Sequence, residues 1–166
     1  MSIAANPAIG ENALFAGVPF EAIENVAERM RTVFYPGGEV IFREGDPGHG
    51  LYLVLAGSVR ISVRGREGHQ ETLDIVATGD FFGEMAMIDR SPRSATATAA
   101  ESCLLGVLDD EAFATAMRAA PVEFSKNFVR TVVAQGSRSD HGVFAIAHGC
   151  ASSIATARWT ARTILS

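Results

Sequence analysis

The segment GEMAMIDRSPRSATATA, from Gly83 to Ala99, holds residue types that together could bind an anion. Glu84 can begin a single helical turn, whose first N–H groups lack intrahelical partners and attract anions, phosphate above all. Arg93 follows nine residues later, after a proline. Its planar guanidinium can donate to two phosphate oxygens at once, and Ser94 adds a hydroxyl donor.

The carboxylate of Glu84 restricts which ligand fits this segment. A carboxylate beside a phosphate is repelled by it, unless the carboxylate faces another group of the ligand such as a sugar hydroxyl. Ala86 and Ala95 are small and leave room for a ligand against the backbone. These residues predict a site for a sugar phosphate with one free ribose hydroxyl.

Short strands separated by Gly and Pro turns surround the segment. SVRISVRG (58–65) alternates apolar and polar residues as a half-buried strand does, and QETLDIV (70–76) fits its antiparallel return. Further strands are predicted at 32–35, 40–42, 50–57, 94–100 and 102–109. This pattern predicts an α+β fold, mainly β, built on an eight-stranded antiparallel β-roll or jelly roll.

Helices are predicted on both sides of these strands. PFEAIENVAERM (19–30) can form an amphipathic helix with one apolar face, made of Phe20, Ile23, Val26 or Ala27, and Met30. After the strands, Asp109 can cap one helix, and Pro121 can begin a second helix that Gly136 ends. We therefore predict a loose leader at 1–12, a domain at 13–135 and a C-terminal tail at 136–166 to which the pattern assigns no structure.

Composition and charge narrow the function classes. The formal net charge is −5 and the 14 Lys and Arg are scattered, whereas DNA-binding surfaces are basic. The two cysteines, Cys103 and Cys150, make no disulfide framework, and Cys103 fits a buried inert thiol. No apolar run has the length of a membrane span, and the first residues show no secretory pattern. A reducing, cytoplasmic setting is expected.

Two longer stretches identify a family. FGEMAMIDRSPRSATA (82–97) resembles the phosphate-binding cassette of cyclic nucleotide-binding domains, and FREGDPGHGLYLVLAGSVRIS (42–62) resembles the first hairpins of the same family. The resemblance runs from about Leu14 to Gln135. It implies a sensor domain of the catabolite activator type, whose ligand shifts the C-terminal helices. Serine at position 94 favours cyclic AMP over cyclic GMP as the ligand.

The resemblance also implies roles for single residues. Gly83 and Ala86 would offer backbone N–H groups to the cyclic phosphate, and Glu84 would bind the ribose 2′-hydroxyl. Arg93 would pair with an exocyclic phosphate oxygen, and Ser94 would donate a hydroxyl or backbone N–H. The implied phosphate and ribose site as a whole comprises Gly83, Glu84, Met85, Ala86, Arg93, Ser94 and Ala95.

Apolar residues on the inner strands would line the base pocket, namely Ile61, Val63 and Leu73. Ile61 and Val63 share a face by the two-residue period of a strand, independently of the family. Phe124 and Phe128 form an apolar stripe in the helix after the strands. They are either packing residues or a lid over the base.

Alternatives from other classes stay open. A ligand-free β-roll could serve as an interaction scaffold. A cupin-type metalloenzyme would need a His-x-His pair, which the four histidines His49, His69, His141 and His148 do not form, so neither a metal nor an enzymatic activity is predicted. No basic recognition helix follows Gln135. The expected partners are a cyclic nucleotide and either a second copy of the chain or an effector protein, without DNA or a membrane.

Overall fold

The computed structural model describes residues 6–138, which contain eight strands. They are β1 (Arg31–Tyr35), β2 (Val40–Phe42), β3 (Leu51–Ala56), β4 (Ser58–Arg64), β5 (Gln70–Ala77), β6 (Phe81–Phe82), β7 (Thr96–Ala99) and β8 (Cys103–Leu108). Antiparallel pairing gives two four-stranded sheets, in the orders β1-β8-β3-β6 and β2-β7-β4-β5. The predicted β-roll is confirmed. Only β6 was not foreseen as a strand, since its two residues look like part of a turn.

Two α-helices precede the strands, one short helix lies between β6 and β7, and two follow β8. They are α1 (Pro7–Gly10), α2 (Phe20–Ala27), α3 (Met85–Asp89), α4 (Asp110–Ala119) and α5 (Pro121–Arg138). The predicted cap of α4 is confirmed, because the Asp109 carboxylate accepts a hydrogen bond from the N–H of Ala112 at 2.9 Å.

Two details of the predicted helices are wrong. Phe20 is 68% exposed, because α2 starts at this residue and buries Ala22, Val26 and Ala27 instead. Helix α5 does not end at Gly136 but continues to Arg138. A glycine inside a helix costs only about 1 kcal/mol relative to alanine, which does not by itself end a helix.

The N-terminal segment, from Pro7 onward, packs against the β-roll. Ile9 in α1 is 1% exposed. The buried Asn12 accepts a hydrogen bond from the N–H of Leu14 and donates from Nδ2 to the carbonyl oxygen of Asp80. The expectation of a loose leader is therefore wrong from Pro7 onward, while the domain boundaries stay a prediction. Residues 1–5 and 139–166, with His141, His148 and Cys150, lie outside the described residues.

The sheet that contains β3 is buried on both faces. Leu53 and Phe81 pack in a cluster with the helices, whereas Val54 and Phe82 pack in a second cluster between the sheets. Neighbouring residues of β3 and β6 thus serve different clusters, as the two-residue period requires. This double burial explains why the sequence of β3 is almost continuously apolar.

Helix α5 is attached to the N-terminal segment by a buried amide. Nδ2 of Asn127 donates to the carbonyl oxygens of Leu14 at 3.1 Å and Ala16 at 2.7 Å. The ring of Phe124 packs against that of Phe15, with 6.0 Å between centroids. These contacts fix the start of α5 over the helical side of the roll.

Replacing Asn127 should loosen this attachment. Asn127→Ala leaves two backbone carbonyls without their donor, so we expect the free energy of unfolding in urea to fall by about 1–3 kcal/mol. Lys126→Ala is the matched control, because Lys126 is an exposed neighbour on the same helix. Equal unfolding midpoints for both variants would contradict this role of the amide.

Candidate functional site

The turn after β6 requires glycine for two reasons. Gly83 has a φ of +83°, in the left-handed region that other residues rarely adopt. A Cβ at this position would also lie 2.8 Å from Nη1 of Arg93. The backbone and the arginine therefore approach each other closely only because position 83 has no side chain.

Glu84 caps α3 with its backbone. Its carbonyl oxygen accepts hydrogen bonds from the N–H groups of Met87 and Ile88. The helix ends after one turn because Arg90 adopts a left-handed conformation with φ of 54°. The Glu84 side chain is buried, with 8% exposed, so its carboxylate is held in the protein rather than in solvent.

The guanidinium of Arg93 lies beside this turn and is 5% exposed. Nη1 donates to the carbonyl oxygen of Gly83 at 2.7 Å, and Nη2 donates to that of Gly50 at 2.9 Å. The arginine is thus held by two carbonyls, and its buried Nε–H is left without a partner among the described residues.

The loop between β2 and β3, residues 43–50, also contacts the arginine through its backbone. The N–H of Gly45 donates to the Arg93 carbonyl, and the N–H of Arg93 donates to the carbonyl of Asp46, both at 2.8 Å. A Cβ at Gly48 would lie 2.1 Å from Cβ of Ala86, so glycine is required there for close packing. Sequence reasoning gave this loop no contact with the arginine, although its repeated glycines were a usable signal.

Burial acts on both charged groups of the site. Burial raises the pKa of the Glu84 carboxyl above its ordinary value, against the opposing effects of its own backbone N–H and of Arg93. Burial lowers the pKa of the Arg93 guanidinium, which Tyr52, Glu84 and Asp46 partly offset. The site therefore holds a cation and a carboxylate that water solvates poorly.

The other predicted cassette residues, besides Glu84 and Arg93, differ in how deeply they are buried. Ala86 is buried, Met85 and Ala95 are half-buried, and Ser94 is exposed. The structure thus brings the predicted cassette residues to one turn, one short helix and the return to β7.

The predicted base-pocket residues are all half-buried. Ile61 packs against the cluster between the sheets. The pairing of β4 with β5 shifts at this point, since Ile61 is opposite Asp74 and Ser62 is opposite Thr72. Leu73 is therefore the extra residue of a bulge in β5, a feature that re-aims side chains.

The two candidate lid residues pack in the core. The wholly buried ring of Phe124 meets that of Phe113 edge-on at 5.3 Å, and Phe128 stacks on Phe81 at 5.9 Å. A lid role for either ring would require α5 to leave this position.

Three further features of residues 6–138 concern a cysteine, metal-ligating side chains and the length of the helices. Cys103 is buried, and burial raises the pKa of its thiol, as expected for an inert cysteine. Within residues 6–138, no three His, Cys, Asp or Glu side chains group as a metal site would require. None of the helices described there is long and apolar enough to cross a membrane.

A family model, the cyclic nucleotide-binding domain, matches residues 32–120, more than half of the chain. The chain belongs to this family. Phe82–Ala97, with the turn, α3 and Arg93, lies within the matched region, so the resemblance recognised in the sequence is confirmed. Several relatives carry cyclic AMP in their names, among them the cyclic AMP receptor protein of Thermus thermophilus, which is 36% identical over 66% of this chain and 50% of its own.

Several relatives of the domain are regulators by name. The CRP-like cAMP-activated global transcriptional regulator of Mycobacterium tuberculosis is 29% identical over 78% of this chain and 58% of its own. The crystal structure of Thermus thermophilus catabolite activator protein matches with a TM-score of 0.71 and 30% identity, over 82% of this chain and 63% of that one. A cAMP-binding acyltransferase from Mycobacterium smegmatis matches with a TM-score of 0.65 and 27% identity, over 78% and 40%. The chain spans about half the length of the curated relatives it matches.

The buried carboxylate of Glu84 should lower the stability of the unliganded domain. Because its pKa is raised in the folded state, the ionised form is disfavoured there. Stability is therefore expected to fall as the pH rises from the ordinary value of 4.5 through the raised pKa, and to stay lower above it. Glu84→Gln should be more stable than the parent in urea at pH 7, and this difference should shrink at pH 4.5 and below.

Glu67→Gln, at an exposed position in the β4–β5 turn, is the matched control and should leave stability unchanged at both pH values. If Glu84→Gln were as stable as the parent at pH 7, or less stable, the cost assigned to the carboxylate would be refuted.

Proposed function

We propose that this domain binds a cyclic nucleotide, cyclic AMP in particular, at the turn, helix α3 and Arg93. The observation that carries the proposal is the buried Arg93 guanidinium with an unpartnered Nε–H. A buried donor without a partner costs free energy, and an anionic oxygen would both accept its hydrogen bond and neutralise its charge. A phosphate placed there would also lie near the N–H groups that begin α3.

Glu84 supports a ligand that is more than a phosphate. Its carboxylate would repel a lone phosphate ion but would accept a hydrogen bond from a ribose hydroxyl. The half-buried Ile61, Val63 and Leu73 would then contact the base. A cyclic phosphate fits better than an open one, because it carries one negative charge rather than two beside Glu84.

We further propose that ligand binding is coupled to the position of α5. The turn before β6 is joined to the N-terminal segment, since the N–H of Ala13 donates to the carbonyl of Gly79 at 2.7 Å and Asn12 donates to Asp80. That segment is in turn held by Asn127 of α5. A ligand can shift these elements only if it binds one arrangement more tightly than another.

The partner that responds to a movement of α5 would be a second copy of the chain or an effector protein, in a cytoplasmic setting. The domain itself would bind its ligand without transforming it. A ligand-free scaffold is the alternative, and it predicts no saturable binding of any nucleotide.

Calorimetric titration with cyclic AMP, cyclic GMP and 5′-AMP tests the proposal. We expect saturable binding of cyclic AMP that 5′-AMP does not reproduce. Arg93→Ala should lose on the order of 2–5 kcal/mol of binding free energy, because the ligand phosphate loses its buried cation. Arg90→Ala is the matched control, an exposed arginine three residues away. Unchanged affinity for cyclic AMP in Arg93→Ala would refute the assignment of the cassette. If the parent bound none of the three nucleotides, the alternative of a ligand-free scaffold would be favoured.

The ribose contact can be tested separately with 2′-deoxy cyclic AMP. Glu84→Gln should weaken binding of cyclic AMP by less than Arg93→Ala does, because a hydrogen bond to a hydroxyl loses only its charge assistance. The parent and Glu84→Gln should bind the 2′-deoxy ligand with more similar affinities than they bind cyclic AMP. An equal difference for both ligands would remove the hydroxyl contact from Glu84.

A further inference from the structure

Three aromatic rings, Phe42, Tyr52 and Phe82, form a cluster next to the arginine of the site. The centroid distances are 5.6 Å for Phe42 and Tyr52, 5.9 Å for Phe42 and Phe82, and 5.2 Å for the stacked pair Tyr52 and Phe82. The central carbon of the Arg93 guanidinium lies over the Phe42 ring at 4.2 Å and 5.5 Å from the centroid of Tyr52. We call these three rings the aromatic cluster.

The aromatic cluster joins the two sheets at one place. Phe42 is the last residue of β2, whereas Tyr52 and Phe82 are paired across β3 and β6 in the other sheet. Phe82 directly precedes the glycine turn, and Phe42 directly precedes the loop 43–50. The rings therefore lie at the base of both segments that hold the arginine.

The Arg93 guanidinium makes two kinds of contact, hydrogen bonds to backbone carbonyls and a contact with an aromatic ring. Hydrogen bonds from Nη1 and Nη2 to the carbonyls of Gly83 and Gly50 use the edge of the guanidinium. The central carbon of the guanidinium lies over the Phe42 ring at 4.2 Å, within the range of cation–π attraction. An ion held by a ring contact and by two edge hydrogen bonds has little rotational freedom, and its buried Nε–H has no partner among the described residues.

We propose that Phe42 and Tyr52 are positioning residues for ligand binding, which hold the Arg93 guanidinium flat and make the site require arginine rather than lysine. The proposal rests on the proposed function for its effect on affinity. A lysine ammonium has no planar face and cannot use two edge donors in a fixed fork, so the aromatic cluster would not hold it in the same way. The rings would thus act through Arg93 rather than by touching the phosphate.

The first test needs no ligand. A ring current from Phe42 should displace the Arg93 Nε–H signal in a ¹H–¹⁵N spectrum, and the signal is assigned by its loss in Arg93→Lys. Phe42→Leu should move this signal toward the position of a solvent-exposed arginine, and Phe42→Tyr should keep it. Phe34→Leu is the matched control, because Phe34 is 62% exposed on β1. An Arg93 signal that does not move in Phe42→Leu would overturn the proposal.

The second test measures affinity for cyclic AMP together with the thermal midpoint. Phe42→Leu should weaken binding about 5- to 30-fold, the range expected for a desolvated cation–π contact, while Phe42→Tyr and Phe34→Leu bind like the parent. In the Arg93→Lys background, Phe42→Leu should weaken binding much less, because the stacked partner is already gone. Equal losses in both backgrounds would show a merely structural role for Phe42.

The two tests separate the proposals. A parent that binds no cyclic nucleotide refutes the proposed function, while the Arg93 signal still decides whether the rings hold the guanidinium. A parent that binds cyclic AMP, with an unaffected Phe42→Leu, keeps the function and overturns the role of the rings. Where Phe42→Leu does not fold, Phe42→Met takes its place with the same expected outcomes.

Discussion

The burial of one guanidinium governs the rest of the site. Arg93 is almost completely removed from water, and an isolated buried cation is costly unless its donors are used. Two carbonyls, from Gly83 and Gly50, and the ring of Phe42 contact the guanidinium, and Tyr52, Glu84 and Asp46 offset part of the burial cost. Glycines at the turn and in loop 43–50 follow from this arrangement, because a side chain at Gly83 or Gly48 would meet the arginine or its neighbour.

The same site holds a carboxylate that works against folding. Burial raises the pKa of Glu84, so its ionised form is poorly stabilised while no ligand is bound. Retaining such a group has a physical rationale if a ligand hydroxyl donates to it, since the cost is then recovered in the complex. A charged pair that is not fully satisfied in the free domain and is completed by a ligand is a common way to combine affinity with specificity.

A short series of hydrogen bonds connects this site with the C-terminal helices. The turn before β6 contacts Asn12 and Ala13, and the following residues contact Asn127 on α5. Buried polar contacts of this kind have few alternative partners, so a displacement at one end must be accommodated at the other or break a bond. This geometry gives the proposed coupling a physical route through the N-terminal segment, to which sequence patterns assigned no role.

The amino-acid sequence by itself determined the β-roll and the cap of α4, because strand periodicity and capping are local properties of the chain, and a family resemblance marked the segment that forms the glycine turn, α3 and the return to β7. The exposure of Phe20, the strand β6 and the continuation of α5 through Gly136 were missed, since these depend on which surfaces meet in three dimensions. Only the tertiary structure decided that Phe42, ten residues before Tyr52 and far from Arg93 in sequence, lies against the guanidinium. Strand pairing and the packing of two sheets bring these residues together, and no local pattern encodes such a contact.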